Sequence, residues 1–301
     1  MSAMVPPPND RSAAAPHGEV HSLAYSRYAG PRRPRSAVPW VVARYAWRVQ
    51  LRQRGVKVLL LLGGGVLAIS GAVLGFAWSV PGMTGGGEAD PVRAAEAQAI
   101  ASSLEAQFIP GFLLVLWCGA GAVAADLNAG AFQFHFARPV SAQGYLVGRV
   151  LSGAGLAFAL SFATLAVLCA ERLAFGSTPL RMALTFAVGA ALVTARATLL
   201  GVVAAGLSSL TRRKGLAQAM FAAVVFASSF VTRIVAAASD KPWVRALGLS
   251  GCVDALAAQW RGTAGLHGAL AAVPLLACIG WGVVGAALAW WRVSRAEVMR
   301  G

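Results

Sequence analysis

The sequence predicts an all-α polytopic membrane protein with six transmembrane helices and both termini in the cytoplasm. Three observations carry that reading. First, the 301 residues are 57% hydrophobic and only 12% charged, with mean hydropathy +0.65, which is too apolar for an ordinary soluble domain. Second, six apolar stretches recur, at 58–80, 108–125, 150–170, 182–209, 217–238 and 269–291. At about 1.5 Å per residue, each is long enough to cross about 30 Å of hydrocarbon. Third, eighteen of the 26 Lys and Arg fall on one side of that arrangement and six on the other, while seven of the eleven acids sit on the Lys-poor side. Short Arg-rich loops resist translocation, so the N-terminus, loops 126–149 and 210–216, and the C-terminal tail are expected inside. The same distribution argues against nucleic acid as a partner despite a net charge of +15.

In chain order, residues 1–37 carry PPP and GPRRPR with little apolar periodicity and read as a disordered basic cytoplasmic tail. Residues 38–57 read as an amphipathic interfacial helix. Val38, Val41, Val42, Tyr45, Ala46 and Val49 form its apolar stripe, and Arg44, Arg48 and Arg52 lie beside it. Such a helix makes an elbow leading into the first span, its arginines meeting lipid phosphates. Residues 58–291 make the six-helix transmembrane domain and 292–301 a cytoplasmic tail. Almost sixty Pro-rich and basic residues precede the first apolar run, so that span is expected to stay as an anchor rather than be cleaved.

The segment 81–107 opens with PGMTGGG and then, from Pro91, becomes a polar helix former expected outside the membrane. Segment 239–268 carries Trp243 and Trp260 around LGLSGCVDALAAQW, too short for a crossing, and reads as an interfacial or re-entrant helix. Trp78, Trp281, Trp290 and Trp291 lie near span ends, where indoles anchor at the interface. Gly71 and Gly75 have GxxxG spacing, and Gly119 and Gly121 add small residues where helices could meet. Gly and Ala are so frequent that intrachain packing explains these matches as well as dimerisation does. Cys118, Cys169, Cys252 and Cys278 show no metal or redox spacing and read as small buried hydrophobes.

No GxxxxGK[ST], HExxH, GxSxG or paired ligand cluster occurs, so no catalytic, cofactor-binding or metal residue is expected. His135 and His267 are single imidazoles that read as surface or packing residues. Arg196 and Arg233 are the intramembrane charges. Ionised groups in hydrocarbon are costly unless paired or hydrated, which makes Arg196, in the outer half of its span, a candidate for a hydrated translocation path.

The inner loop reads ADLNAGAFQFHFARPVSAQGYLVGRVL from Ala125 to Leu151. Asp126 favours a helix N-terminus, Arg138 and Pro139 stop that helix, and Ser141 caps a second whose apolar face is Tyr145, Leu146 and Val150. Two short cytoplasmic helices are expected, a protrusion able to fit a cleft on a cytoplasmic motor.

This loop resembles the signature segment of type-2 ATP-binding-cassette (ABC) exporter permeases. Asp126, Gly130, Arg138, Pro139, Val140, Ser141, Tyr145, Leu146, Gly148 and Arg149 carry the likeness, although Ala142 stands where a basic residue often follows the Ser. The basic elbow, the six spans and the SSLTRRK turn extend it over most of residues 38–295. The resemblance implies the permease subunit of an ATP-driven exporter in a bacterial inner (plasma) membrane, multi-pass, working as a homodimer or as a heterodimer with a second permease. It implies a cytoplasmic coupling helix in 126–149 that docks on a separate ATPase subunit, which binds the ATP and Mg. On that reading Asp126, Gly130, Arg138, Pro139, Ser141, Tyr145 and Arg149 serve coupling, with Arg138 and Arg149 facing the ATPase or anionic lipid. The chain itself is not an enzyme. Two alternatives stand beside it. One is a non-transporting membrane scaffold or assembly factor. The other is an ion-coupled secondary transporter, which the lack of acids inside the expected spans disfavours.

Overall fold

The computed structural model describes residues 35–79, 101–131, 141–175, 178–263 and 265–298. The expected tail, the stretch 80–100, His135, Arg138 and Pro139 lie outside them. Among the described residues the chain is all-helical, and six helices are long and apolar enough to cross a membrane: Arg54–Phe76, Ala101–Asn128, Ala142–Ala174, Pro179–Ser209, Lys214–Ser239 and Gly268–Arg295.

Helix α1 (Val38–Gln50) ends before residue 54, so the expected 38–57 helix is in fact two elements. Leu51–Gln53 form a turn closed on Trp47, Val49 and Gln50, and α2 (Arg54–Ser79) starts the first span there. Helix α1 runs alongside the opening turns of α5 (Ala142–Ala174), which forms the third span. Val38 meets Gly144, Val42 meets Gly148, and the Trp47 indole donates to the Ser152 carbonyl at 3.2 Å. Ala43, Ala46 and Gln50 are buried, Gln50 donating to the Cys118 carbonyl at 3.3 Å, while Trp40, Tyr45 and Val49 are exposed with Arg44 and Arg48.

The second span is broken. Residues 101–106 are helical and lead through Gln107 into α3 (Phe108–Cys118), so the end of the polar stretch continues the span rather than forming a separate helix. A bend at Gly119–Gly121 separates α3 from α4 (Ala122–Asn128). The glycines are required by proximity: a Cβ on Gly153 would lie 2.7 Å from the Gly119 Cα, and one on Gly121 would lie 2.4 Å from the Lys214 side chain. Backbones approach there because association in lipid relies on close packing and interhelical hydrogen bonds.

Two further helices, α6 (Pro179–Ser209) and α7 (Lys214–Ser239), form the fourth and fifth spans. Helix α6 lies at the centre, packed on α5 and on α9 (Val273–Val298), the sixth span. Interhelical bonds to backbone groups recur: Gln107 to the Gly63 carbonyl at 3.0 Å, Gln218 to the Leu116 carbonyl at 3.1 Å, and the Ala124 N–H to Ser208 Oγ at 3.0 Å. Phe112 and Phe221 stack at 5.6 Å in the main core. The Gly71 and Gly75 pair makes no such seam, since Gly75 meets nothing within 4 Å and Gly71 faces Glu171.

Between the fifth and sixth spans, a 3-10 turn (Pro242–Leu247) leads into α8 (Gly251–Trp260). Leu249, Cys252 and Val253 are buried, so this segment packs into the bundle rather than lying on its surface. The Cys252 thiol is pushed far up from its ordinary value by its hydrogen bond with Cys278 and by burial, and is a packing group. Trp281 donates to the Leu247 carbonyl at 2.9 Å, which makes it a strut between α9 and this segment.

Candidate functional site

The residues that carry the inner-loop pattern converge at one end of the bundle. Asp126 lies in the last turn of α4, not at the start of a new helix as its N-terminal preference suggested. Gly130 sits at φ +64, and the helix closes with the Gly130 N–H on the Leu127 carbonyl and the Ala131 N–H on the Asp126 carbonyl at 2.9 Å. That pair of bonds is a Schellman stop, which needs a residue comfortable in the left-handed region. Ser141 begins the next helix, its Oγ accepting the Gly144 N–H at 3.1 Å. No breaker follows, so α5 runs unbroken through the third span, and the second expected short helix is its first turns. Ser141→Ala should cost about 1 kcal/mol of stability by removing the cap, measurable as a lowered thermal midpoint in detergent.

Tyr145 and Arg149 stand one turn apart on α5 and both reach Asp126. The Tyr145 hydroxyl donates to Asp126 Oδ2, and the Arg149 guanidinium makes an ion pair with the same oxygen. Arg149 Nε lies 3.4 Å from the Tyr145 oxygen and its Cζ lies 5.5 Å from the ring centroid. Tyr145 is fully buried, and the Arg149 and Asp126 side chains are 17% and 15% exposed. Arg149 is thus committed to a contact within the chain. Gly148 completes the unit, because a Cβ there would lie 2.7 Å from Val42 and 3.0 Å from the Pro39 carbonyl oxygen of α1. The result is a clamp that joins α1, α4 and α5.

Arg196 belongs to a second site. Its guanidinium makes an ion pair with Asp254 of α8 and reaches the Leu104 carbonyl at 3.4 Å, and Cζ lies 5.7 Å from the Phe108 ring. These groups line a cavity of about 820 Å³, including its open mouth, bounded by the second, third and fourth spans and α8. Sequence reading placed Asp254 in an outer interfacial or re-entrant helix and left Arg196 without an acid. The available signal was Asp254 itself, the only charged residue in LGLSGCVDALAAQW, since a charge in such a run demands a partner. Arg233 is exposed on α7, away from this cavity lining. Among the described residues no group of three or more His, Cys, Asp or Glu is placed to hold a metal.

Among the described residues, six membrane-capable helices, a broken second span and a packed α8 make up an all-helical, multi-pass membrane protein. No family model and no curated protein matches the chain.

Proposed function

We propose that this chain is the transmembrane permease subunit of an ATP-driven ABC transporter, an exporter of amphiphilic, lipid-like, drug-like or peptide cargo, paired with a second permease and with separate ATPase subunits. The observation that carries the reading is the clamp of Asp126, Tyr145 and Arg149. It joins the ends of the second and third spans that flank residues 132–140, and Gly148 packs that junction on α1. A push on 129–141 from a cytoplasmic partner would therefore move those helices together instead of bending a loop. The excess of basic residues orients this end to the cytoplasm of a bacterial inner membrane. The exposed Trp40, Tyr45, Arg44 and Arg48 suit α1 to an interfacial elbow. ATP and Mg belong to the partner, and nucleic acid plays no part.

The test is copurification from the native membrane, with identification of partners and an ATPase assay. A stoichiometric nucleotide-hydrolysing partner that is lost from Arg138→Glu with Pro139→Ala is the expected result. A chain that purifies alone with no ATPase activity rejects the proposal.

One observation favours a second reading, ion-coupled transport. Asp254 pairs with Arg196 of the fourth span on the cavity lining, the acid–base arrangement that ion coupling uses. Substrate movement driven by a proton or sodium gradient without ATP would select it.

A further inference from the structure

The cavity beside Arg196 has a mixed lining. Glu105 and Trp260 on it are exposed, while Phe112, Ala157, Leu200 and the polar Gln107 are buried.

The polar groups are unequally satisfied. Asp254 is matched by Arg196. Arg261, also on the lining, makes no ion pair among the described residues, and its Nε and Nη1 are enclosed with no acceptor among them. Arg196 Nε is in the same position, against a single enclosed acceptor without a donor, Gln107 Oε1. Among the fully enclosed atoms of the lining, three guanidinium nitrogens lack an acceptor and one oxygen lacks a donor, and the Glu105 carboxylate is exposed rather than enclosed with them. Leaving enclosed donors unpaired is costly, and more so when they are charged. A bound anionic oxygen cluster is the group that would relieve the imbalance, since guanidinium binds carboxylate and phosphate through paired hydrogen bonds.

We infer that this cavity binds a single-chain anionic amphiphile, its carboxylate or phosphate head at Arg261 and Arg196 and its hydrocarbon body along Phe108, Phe112 and Leu200. The apolar lining decides against a bare anion, which would leave it unfilled. The enclosed Arg261 nitrogens decide against a neutral lipid, which would leave them without an anionic acceptor. The inference deepens the transport reading by naming a cargo class, but binding itself needs no ATPase. Failure of one therefore leaves the other standing.

The test is equilibrium binding of radiolabelled hexadecyl phosphate and oleate to the full chain in nanodiscs, with hexadecanol as the neutral probe and inorganic phosphate as competitor. Saturable binding of both anions is expected. Arg261→Gln should weaken it by about tenfold to a hundredfold, the value of a charged hydrogen bond. Ala257→Trp, which fills the lining with an indole, should abolish it, while Arg233→Gln should leave it unchanged. Size-exclusion profiles matching the parent chain establish that each variant is folded. Arg261 is chosen ahead of Arg196 because its loss strands no buried partner. Wild-type affinity in both Arg261→Gln and Ala257→Trp, equal binding of hexadecanol, or full competition by inorganic phosphate at the amphiphile's own concentration each overturns the inference.

Discussion

Asp126→Ala should lower the stability of the chain by about 3–5 kcal/mol, the range for removing one member of a buried ion pair. The reason is what stays behind: the Arg149 guanidinium and the Tyr145 hydroxyl, both enclosed between α4 and α5, lose their common acceptor. Thermal unfolding in detergent, followed by circular dichroism, measures the loss. Asp126→Leu combined with Arg149→Met should recover most of it, because both charges leave together. That double variant then separates stability from coupling. If a stable double variant still binds its ATPase partner but no longer couples hydrolysis to transport, the clamp works as a rigid link. Full coupling in the double variant would reduce the clamp to a folding device.

Gly206→Val carries the second large effect, expected at about 3 kcal/mol or more, the upper range for overpacking. A Cβ at Gly206 would lie 2.4 Å from the Gly285 carbonyl oxygen, and the reciprocal Cβ at Gly285 would lie 3.0 Å from the Val202 carbonyl oxygen and the Val203 backbone. Both obstructions are backbone, so no side chain can swing aside and α6 must part from α9. The control is Gly75→Val, which meets nothing within 4 Å and should change stability by less than about 0.5 kcal/mol. SDS-titrated unfolding of the two variants gives the comparison. If Gly75→Val instead breaks an oligomer while leaving the monomer fold intact, the GxxxG pair serves contact between copies.

The contrast between these glycines illustrates how much of the chain could be read in one dimension. All six spans were legible, because hydropathy over about 20 contiguous residues is a local property and the bilayer sets a length. Their ends were less so. The third span begins at Ala142 rather than at residue 150, since nothing in AQGYLVGRV interrupts a helix once Ser141 has capped it. Polar residues in those turns looked like a separate surface element only while their partners were unknown. The α1 boundary moved for a similar reason: the turn at Leu51–Gln53 has no glycine or proline to announce it.

Of the candidate site, the sequence by itself picked out Asp126, Gly130, Tyr145 and Arg149 as a pattern between the second and third spans. It determined the cap at Ser141 and the intramembrane position of Arg196. Only the tertiary structure decided what those residues touch. Asp126 meets Tyr145 and Arg149 because a Schellman stop at Gly130 and a cap at Ser141 set α4 beside α5. Arg196 meets Asp254, 58 positions away, because α8 packs against the bundle. Gly206 and Gly285 became a seam, and Gly71 with Gly75 did not, through the rotation of each helix about its own axis. Periodicity and composition report the state of a contiguous segment, whereas pairing between distant charges and backbones depends on how separate helices are turned toward one another, and that is fixed by packing.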